Sequence, residues 1–156
     1  MAEEILVERR DGVATVTFNR PDQRNAISYD SWLELRRVAE ELNRDAAVKV
    51  VVLTGAGEKA FSSGADIKDF ELYRNDSESA RTYAVAFDGA MDAVEALSKP
   101  TISMIKGFCV GGGCELSLAT DIRVAAENGR FGVPVARLGI LVGYREMRRL
   151  VNLVGP

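Results

Sequence analysis

The run Val50-Val51-Val52-Leu53 constrains the fold more than any other four residues of the chain. β-Branched side chains suit a pleated strand, and an unbroken apolar run implies a strand covered on both faces, as in a parallel sheet. Before it, over residues 31–43, Trp32, Leu35, Val38, Ala39 and Leu42 recur at helical spacing between Glu and Arg. Further β-rich runs at 101–105, 122–125 and 130–133 are interleaved with helix-period segments at 77–98 and 144–154, with a short apolar helix opened by Gly111-Gly112-Gly113. Ser77 is the expected N-cap of the long helix, and Lys99-Pro100 its stop. The chain opens with two strand-like runs, 5–9 and 13–18, around Asp11-Gly12, a dipeptide that supplies positive φ to a tight hairpin. One hairpin followed by strand–helix alternation predicts an α/β fold with a mostly parallel sheet.

The composition removes whole classes of chemistry. The chain has 156 residues, 47% of them hydrophobic, which fits one core-forming domain over 1–156. It has no histidine, so Ser-His-Asp and Cys-His nucleophile pairs and imidazole metal sites are absent from it. A net charge of −3 argues against a nucleic-acid binder, which needs a basic face. No uncharged apolar run reaches a membrane span. The start Met1-Ala2-Glu3-Glu4 lacks the basic and apolar regions of a leader, so the expected location is the cytoplasm. Cys109 and Cys114 fit no CxxC or disulfide framework and read as reduced core thiols.

Three segments are candidates for a site. Residues 55–60, Gly-Ala-Gly-Glu-Lys-Ala after a strand, fit the loose G-x-G-x-x-A pattern of nicotinamide-dinucleotide binding. That pattern works only where the glycines open a helix, and Phe61-Ser62-Ser63-Gly64 is poor helix material, so a surface turn is the better reading. Gly111-Gly112-Gly113-Cys114-Glu115 lies between a strand and a helix, where free amides can stabilise a developing negative charge beside a carboxylate. A packing turn reads equally well from these residues alone. Phe61-Ser62-Ser63-Gly64-Ala65-Asp66-Ile67 is either a strand end with free amides or a plain loop.

Taken together, these segments resemble the crotonase superfamily, the enoyl-CoA hydratase/isomerase family. The resemblance also runs through Asn19-Arg20-Pro21 with Asn25-Ala26, Gly55, Lys68, Lys99-Pro100, Gly107, Asp121-Ile122-Arg123, and Phe131-Gly132 with Pro134. It implies a crotonase-like (ClpP/crotonase) fold of repeated β-β-α units. It implies acyl-CoA thioesters as substrates, as in fatty acid metabolism, and an enolate held by the backbone N–H groups of Ala65 and Gly112. By match, Arg24, Ala26, Ser63, Asp66, Ile67 and Lys68 would line the path of coenzyme A, which arrives as part of the thioester rather than as a separate cofactor. No metal is implied, and the family's assembly implies a homo-oligomer, a trimer or hexamer.

The chain departs from the family in one mechanistic place. Hydratases use two glutamates, one matching Glu115 and one in a Phe-Gly-x-Pro-Glu segment. That segment here reads Phe131-Gly132-Val133-Pro134-Val135, so the second acid is missing. The following Pro-Gly-x-Gly-Gly is replaced by Val142-Gly143-Tyr144-Arg145-Glu146. The family's C-terminal helical region is also expected to be absent. The leading expectation is a hydratase/isomerase-like enzyme with Glu115 as acid/base. Open alternatives are another crotonase-type reaction, acyl-CoA hydrolysis or decarboxylation, or a silent acyl-CoA-binding paralogue. Glu146 or Tyr144 from the next helix are candidate substitutes for the lost acid.

Overall fold

The computed structural model describes residues 3–73, 75–137, 139 and 141–156, so Met1 and Ala2 of the acidic start lie outside the described residues. Strands β1 (Ile5–Arg10) and β2 (Val13–Phe18) form the opening hairpin, with Asp11 at φ 52° and Gly12 at φ 82°. Both turn residues have positive φ, which matches the twist of the flanking strands. Helix α1 (Tyr29–Arg44) follows, its Ser28 side chain accepting the Ser31 N–H as N-cap.

From there the chain repeats one unit three times. A strand enters a five-stranded sheet, a three-residue strand enters a second sheet, and helix returns the chain. The first unit is β3 (Val50–Gly55), β4 (Ala60–Ser62), then α2 (Lys68–Tyr73) and α3 (Ser77–Glu95). The second is β5 (Thr101–Ile105), β6 (Phe108–Val110) and α4 (Gly112–Leu118). The third is β7 (Ile122–Ala125), β8 (Arg130–Gly132) and α5 (Tyr144–Val154). The large sheet has the order β1-β2-β3-β5-β7 and is parallel except at the hairpin; the small one, β4-β6-β8, is wholly parallel.

The core forms where α1 and α3 cover one face of the large sheet. Trp32 and Leu35 of α1, Tyr83 and Met91 of α3, and Val16 and Leu53 of the sheet are almost fully buried. Each such side chain removed from water stabilises the fold by about 2–3 kcal/mol. The Trp32 indole N–H donates to the Tyr83 hydroxyl at 3.2 Å, so the polar edge of each ring is matched inside the core. Lys99 reaches back to the Leu42 and Asp45 carbonyls and holds the end of α1 where the chain turns toward β5.

Three sequence expectations need adjustment, and one helix was not expected. The N-cap of α3 is Asp76 rather than Ser77: its carboxylate accepts both the Glu78 and Ser79 N–H groups at 2.8 Å, and Ser79 Oγ accepts the Asp76 N–H, a reciprocal cap that Ser77 cannot build. The same helix ends at Glu95, three residues short of Ser98. In β3, Val51 and Leu53 are buried whereas Val50 and Val52 are only half-covered. Its apolar run therefore reflects a central parallel position more than equal burial of two faces. Helix α2 has no expectation behind it, because six residues carry too few turns for a readable period. No helix among the described residues is long and apolar enough to cross a membrane.

Candidate active site

Strand ends from both sheets meet at one point. Beyond β4 the chain runs beside Ile27, whose N–H donates to the Gly64 carbonyl at 2.8 Å and whose carbonyl accepts the Asp66 N–H at 2.9 Å. A parallel bridge of this kind uses the neighbours of Ala65 and leaves the Ala65 N–H pointing the other way. Gly112 opens α4, where the first amides have no acceptor within the helix. Among the described residues, neither the Ala65 nor the Gly112 N–H has an acceptor.

The two amides are close neighbours. A methyl group built on Gly112 would lie 3.4 Å from the Ala65 nitrogen, and one built on Gly64 would lie 2.7 Å from the Gly112 nitrogen. Gly64, at φ 89°, is the residue that permits this approach, since any side chain there is both strained and in collision. Behind it, Ser62 Oγ donates to the Asn25 carbonyl and accepts the Gly64 N–H. The unpaired amides thus rest on a buried hydrogen-bonded frame.

Glu115 stands in the first turn of α4, only 7% exposed. It borders a cavity of about 310 Å³ whose walls include Leu118, Phe131, Val133, Met147 and Leu150. Cys114 also faces this cavity, while Cys109 is buried behind it and both are free thiols. The hydrogen bond that the Cys109 thiol donates to Cys114, together with burial, holds it well above the usual thiol range, which suits a packing role rather than a nucleophile.

The residues expected along a coenzyme A path gather around the same loop. Ser63 N–H donates to the Arg24 carbonyl at 2.9 Å, and the Ala26 carbonyl accepts from the Arg20 guanidinium at 3.1 Å. Asp66 is not free for a ligand, because Arg20 pairs with it at 2.9 Å and its other oxygen accepts the Lys68 N–H. Ile67 is exposed, and Lys68 begins α2 at the surface. The Arg24 guanidinium lies 5.2 Å above the Phe108 ring, and Arg24 borders a groove of about 630 Å³ with Lys59 and Arg130. Residues 55–60 join β3 to β4 as a turn, and no helix begins there, which removes the dinucleotide reading. Among the described residues no cluster of three His, Cys, Asp or Glu is placed to hold a metal.

With this geometry in view, residues 8–156 match the sequence model of the enoyl-CoA hydratase/isomerase family. The chain belongs to that family. It is 40% identical over 151 residues to a short-chain-enoyl-CoA hydratase of Clostridium acetobutylicum, covering 97% of this chain and 57% of that protein. It is 38% identical to a crotonyl-CoA hydratase of Syntrophomonas wolfei, covering 99% of this chain and 58% of that one. A crystal structure of an enoyl-CoA hydratase/carnithine racemase from Magnetospirillum magneticum superposes with a TM-score of 0.95 at 40% identity, over 100% of this chain and 58% of its own. The fold is therefore crotonase-like, and the chain spans under three-fifths of the length of these relatives.

The role of one residue of this family member was not legible in the motif. Asn25 is buried at φ 55°, its amide donating to the Ala56 and Ala60 carbonyls, so it ties the Arg20 turn to β4. Val135 lies half-buried in a short 3-10 turn. Glu146, by contrast, is 7% exposed and borders the cavity of Glu115.

Proposed function

We propose that this chain acts on acyl-CoA thioesters with enoyl-CoA hydratase/isomerase chemistry that passes through an enolate. The observation that carries the reading is the pair of unclaimed amides at Ala65 and Gly112 beside the buried carboxylate of Glu115. A thioester enolate concentrates its charge on one oxygen. Two preorganised N–H donors are complementary to that oxygen, and a single such donor changes rates by roughly 10²- to 10³-fold. Glu115 is the acid/base: it takes a proton from water or from carbon, in a cavity whose apolar walls accommodate a short acyl chain.

Coenzyme A enters as part of the substrate. Its chain follows the loop from Ser63 to Lys68 and the turn carrying Arg24 and Ala26, with Lys68 and Arg24 as cations for its phosphates. The working form is a cytoplasmic homo-oligomer, a trimer or a dimer of trimers. The names of the relatives support the acyl-CoA class. The loss of an acid at Val135 favours a second reading, a single-acid reaction such as acyl-CoA hydrolysis or decarboxylation, or binding without turnover.

Hydration of crotonyl-CoA separates these. The expected result is turnover that falls at least 10²-fold in Glu115→Gln while crotonyl-CoA still binds. Release of free coenzyme A thiol would indicate hydrolysis, and binding without any product would indicate the silent form.

A further inference from the structure

We infer that Glu146 is the second catalytic carboxylate, delivered from α5 in place of the acid missing at position 135; this rests on the hydratase reading above. Glu146 and Glu115 border the same cavity of about 310 Å³, each 7% exposed. A carboxylate this well covered ordinarily has a cation or hydrogen-bond donor, because burying it alone is costly. Among the described residues no cation forms an ion pair with Glu146. The cations beside it are committed elsewhere: Arg145 pairs with Asp92 at 2.5 Å, and Arg149 with Asp92 at 3.0 Å and Glu95 at 2.6 Å. Asp88 of α3, another acid, also lies close enough to Glu146 to feel its charge. An acid that lines the cavity of Glu115 without a paired cation is placed for proton transfer to a bound substrate.

The backbone makes room for it. At position 143 an added Cβ would come within 2.3 Å of Glu146 Oε2, so glycine there is what lets the carboxylate fold back over the helix start. Tyr144, the other candidate on this helix, is 83% exposed and does not border the cavity. Val135, in the position of the family's second acid, offers no proton.

The division of labour follows from hydration. Water forms its bond to C3 of the enoyl group and gives its proton to the Glu115 carboxylate, while the C2–C3 π pair moves into the enolate. The enolate pair then returns to C2 and takes a proton from the Glu146 carboxyl. Water has added across the double bond, and the pair of carboxyls resets by exchanging one proton through solvent.

The experiment compares the wild-type chain, Glu146→Gln, and Val135→Glu/Glu146→Gln for crotonyl-CoA hydration and for crotonyl-CoA binding by calorimetry. The expected result is a loss of roughly 10²- to 10⁴-fold in kcat for Glu146→Gln, with binding within threefold of wild type. Moving the acid to position 135 in the double variant should recover at least tenfold, which a purely structural role for Glu146 would not produce. Hydration in Glu146→Gln within threefold of wild type overturns the assignment, and so does a loss that the double variant does not recover. A wild-type chain that binds crotonyl-CoA without hydrating it overturns the hydratase reading itself, and this assignment with it.

Discussion

Ser62 and Asn25 are joined by a 2.7 Å hydrogen bond from the Ser62 hydroxyl to the Asn25 carbonyl, across 37 positions of sequence. The same hydroxyl accepts the Gly64 N–H at 3.0 Å, so one buried oxygen sets the direction of the peptide leading to Ala65. Ser62 touches no reacting atom; it is a positioning residue for the proposed oxyanion donor.

Ser62→Ala should therefore lower kcat for crotonyl-CoA by about tenfold with KM little changed, because the donor is displaced in ground and transition states but matters most where charge has developed. The unsatisfied Gly64 N–H should cost about 1–3 kcal/mol of stability. Steady-state kinetics and urea unfolding read the two effects separately. A fall in kcat/KM due wholly to KM would remove the positioning role.

Gly64→Ala is expected to be more severe. The new methyl lies 2.7 Å from the Gly112 nitrogen and 2.8 Å from the Val110 carbonyl, at a φ of 89° that L-residues avoid. Strain of this kind costs about 1–3 kcal/mol, and relieving it pushes the start of α4 away from Ala65. Activity should drop at least 10²-fold even at temperatures where circular dichroism reports a folded chain. Retention of wild-type kcat would mean that the two amides do not act on one oxygen.

Arg149 fastens α5 to α3. Its guanidinium is 4% exposed and bonds Asp92 and Glu95, and although burial pulls it down, those two carboxylates hold it above the usual arginine value. Arg149→Met removes the cation while keeping an apolar stem against Met91. Because both acid partners are about half exposed and can rehydrate, the expected cost is about 1–3 kcal/mol, below that of breaking a fully buried pair. Thermal unfolding at neutral pH checks it, and salt should weaken the effect only slightly.

Asp88 supplies a pH-dependent test. Burial, then the nearby Glu146 carboxylate, raises its carboxyl above the usual 3.8, with Arg145 and Arg149 pulling the other way and Asp92 adding to the rise. A carboxyl raised in the folded state favours folding where it is protonated and opposes it where it is ionised. Asp88→Asn should therefore raise Tm at pH 7. That advantage should shrink as pH falls through the raised value and vanish below the unfolded one. A Tm gain that is the same at pH 3 and pH 7 would show that charge is not its source.

Much of this molecule is written in short-range pattern. The Asp11-Gly12 turn, the stripe of α1 and the strands at 101–105 and 122–125 lie where periodicity and turn chemistry put them, because each is specified by residues within a few positions. The triple glycine at 111–113 announced close backbone approach, and α4 starts there. The cap at Asp76 and the six-residue α2 were harder, since neighbouring Asp and Ser compete for one cap and a single turn has no period. Of the small sheet only β8 was legible, as the run at 130–133; β4 and β6 are three residues each, and only their pairing makes them strands.

What local chemistry left undecided was company. Ala65 and Gly112 carry no side chain that could advertise a role, and their amides become a pair only because β4 and β6 pair in parallel and end side by side. In sequence Glu146 stands beside Tyr144 as a candidate substitute for the lost acid, with nothing local to choose between them. It comes to border the cavity of Glu115 only when Arg149 docks α5 on α3, a contact between segments more than 50 residues apart. Helix and strand identity follow from backbone preference and spacing along the chain, whereas a catalytic pair is a distance in space, and distance in space is set by packing.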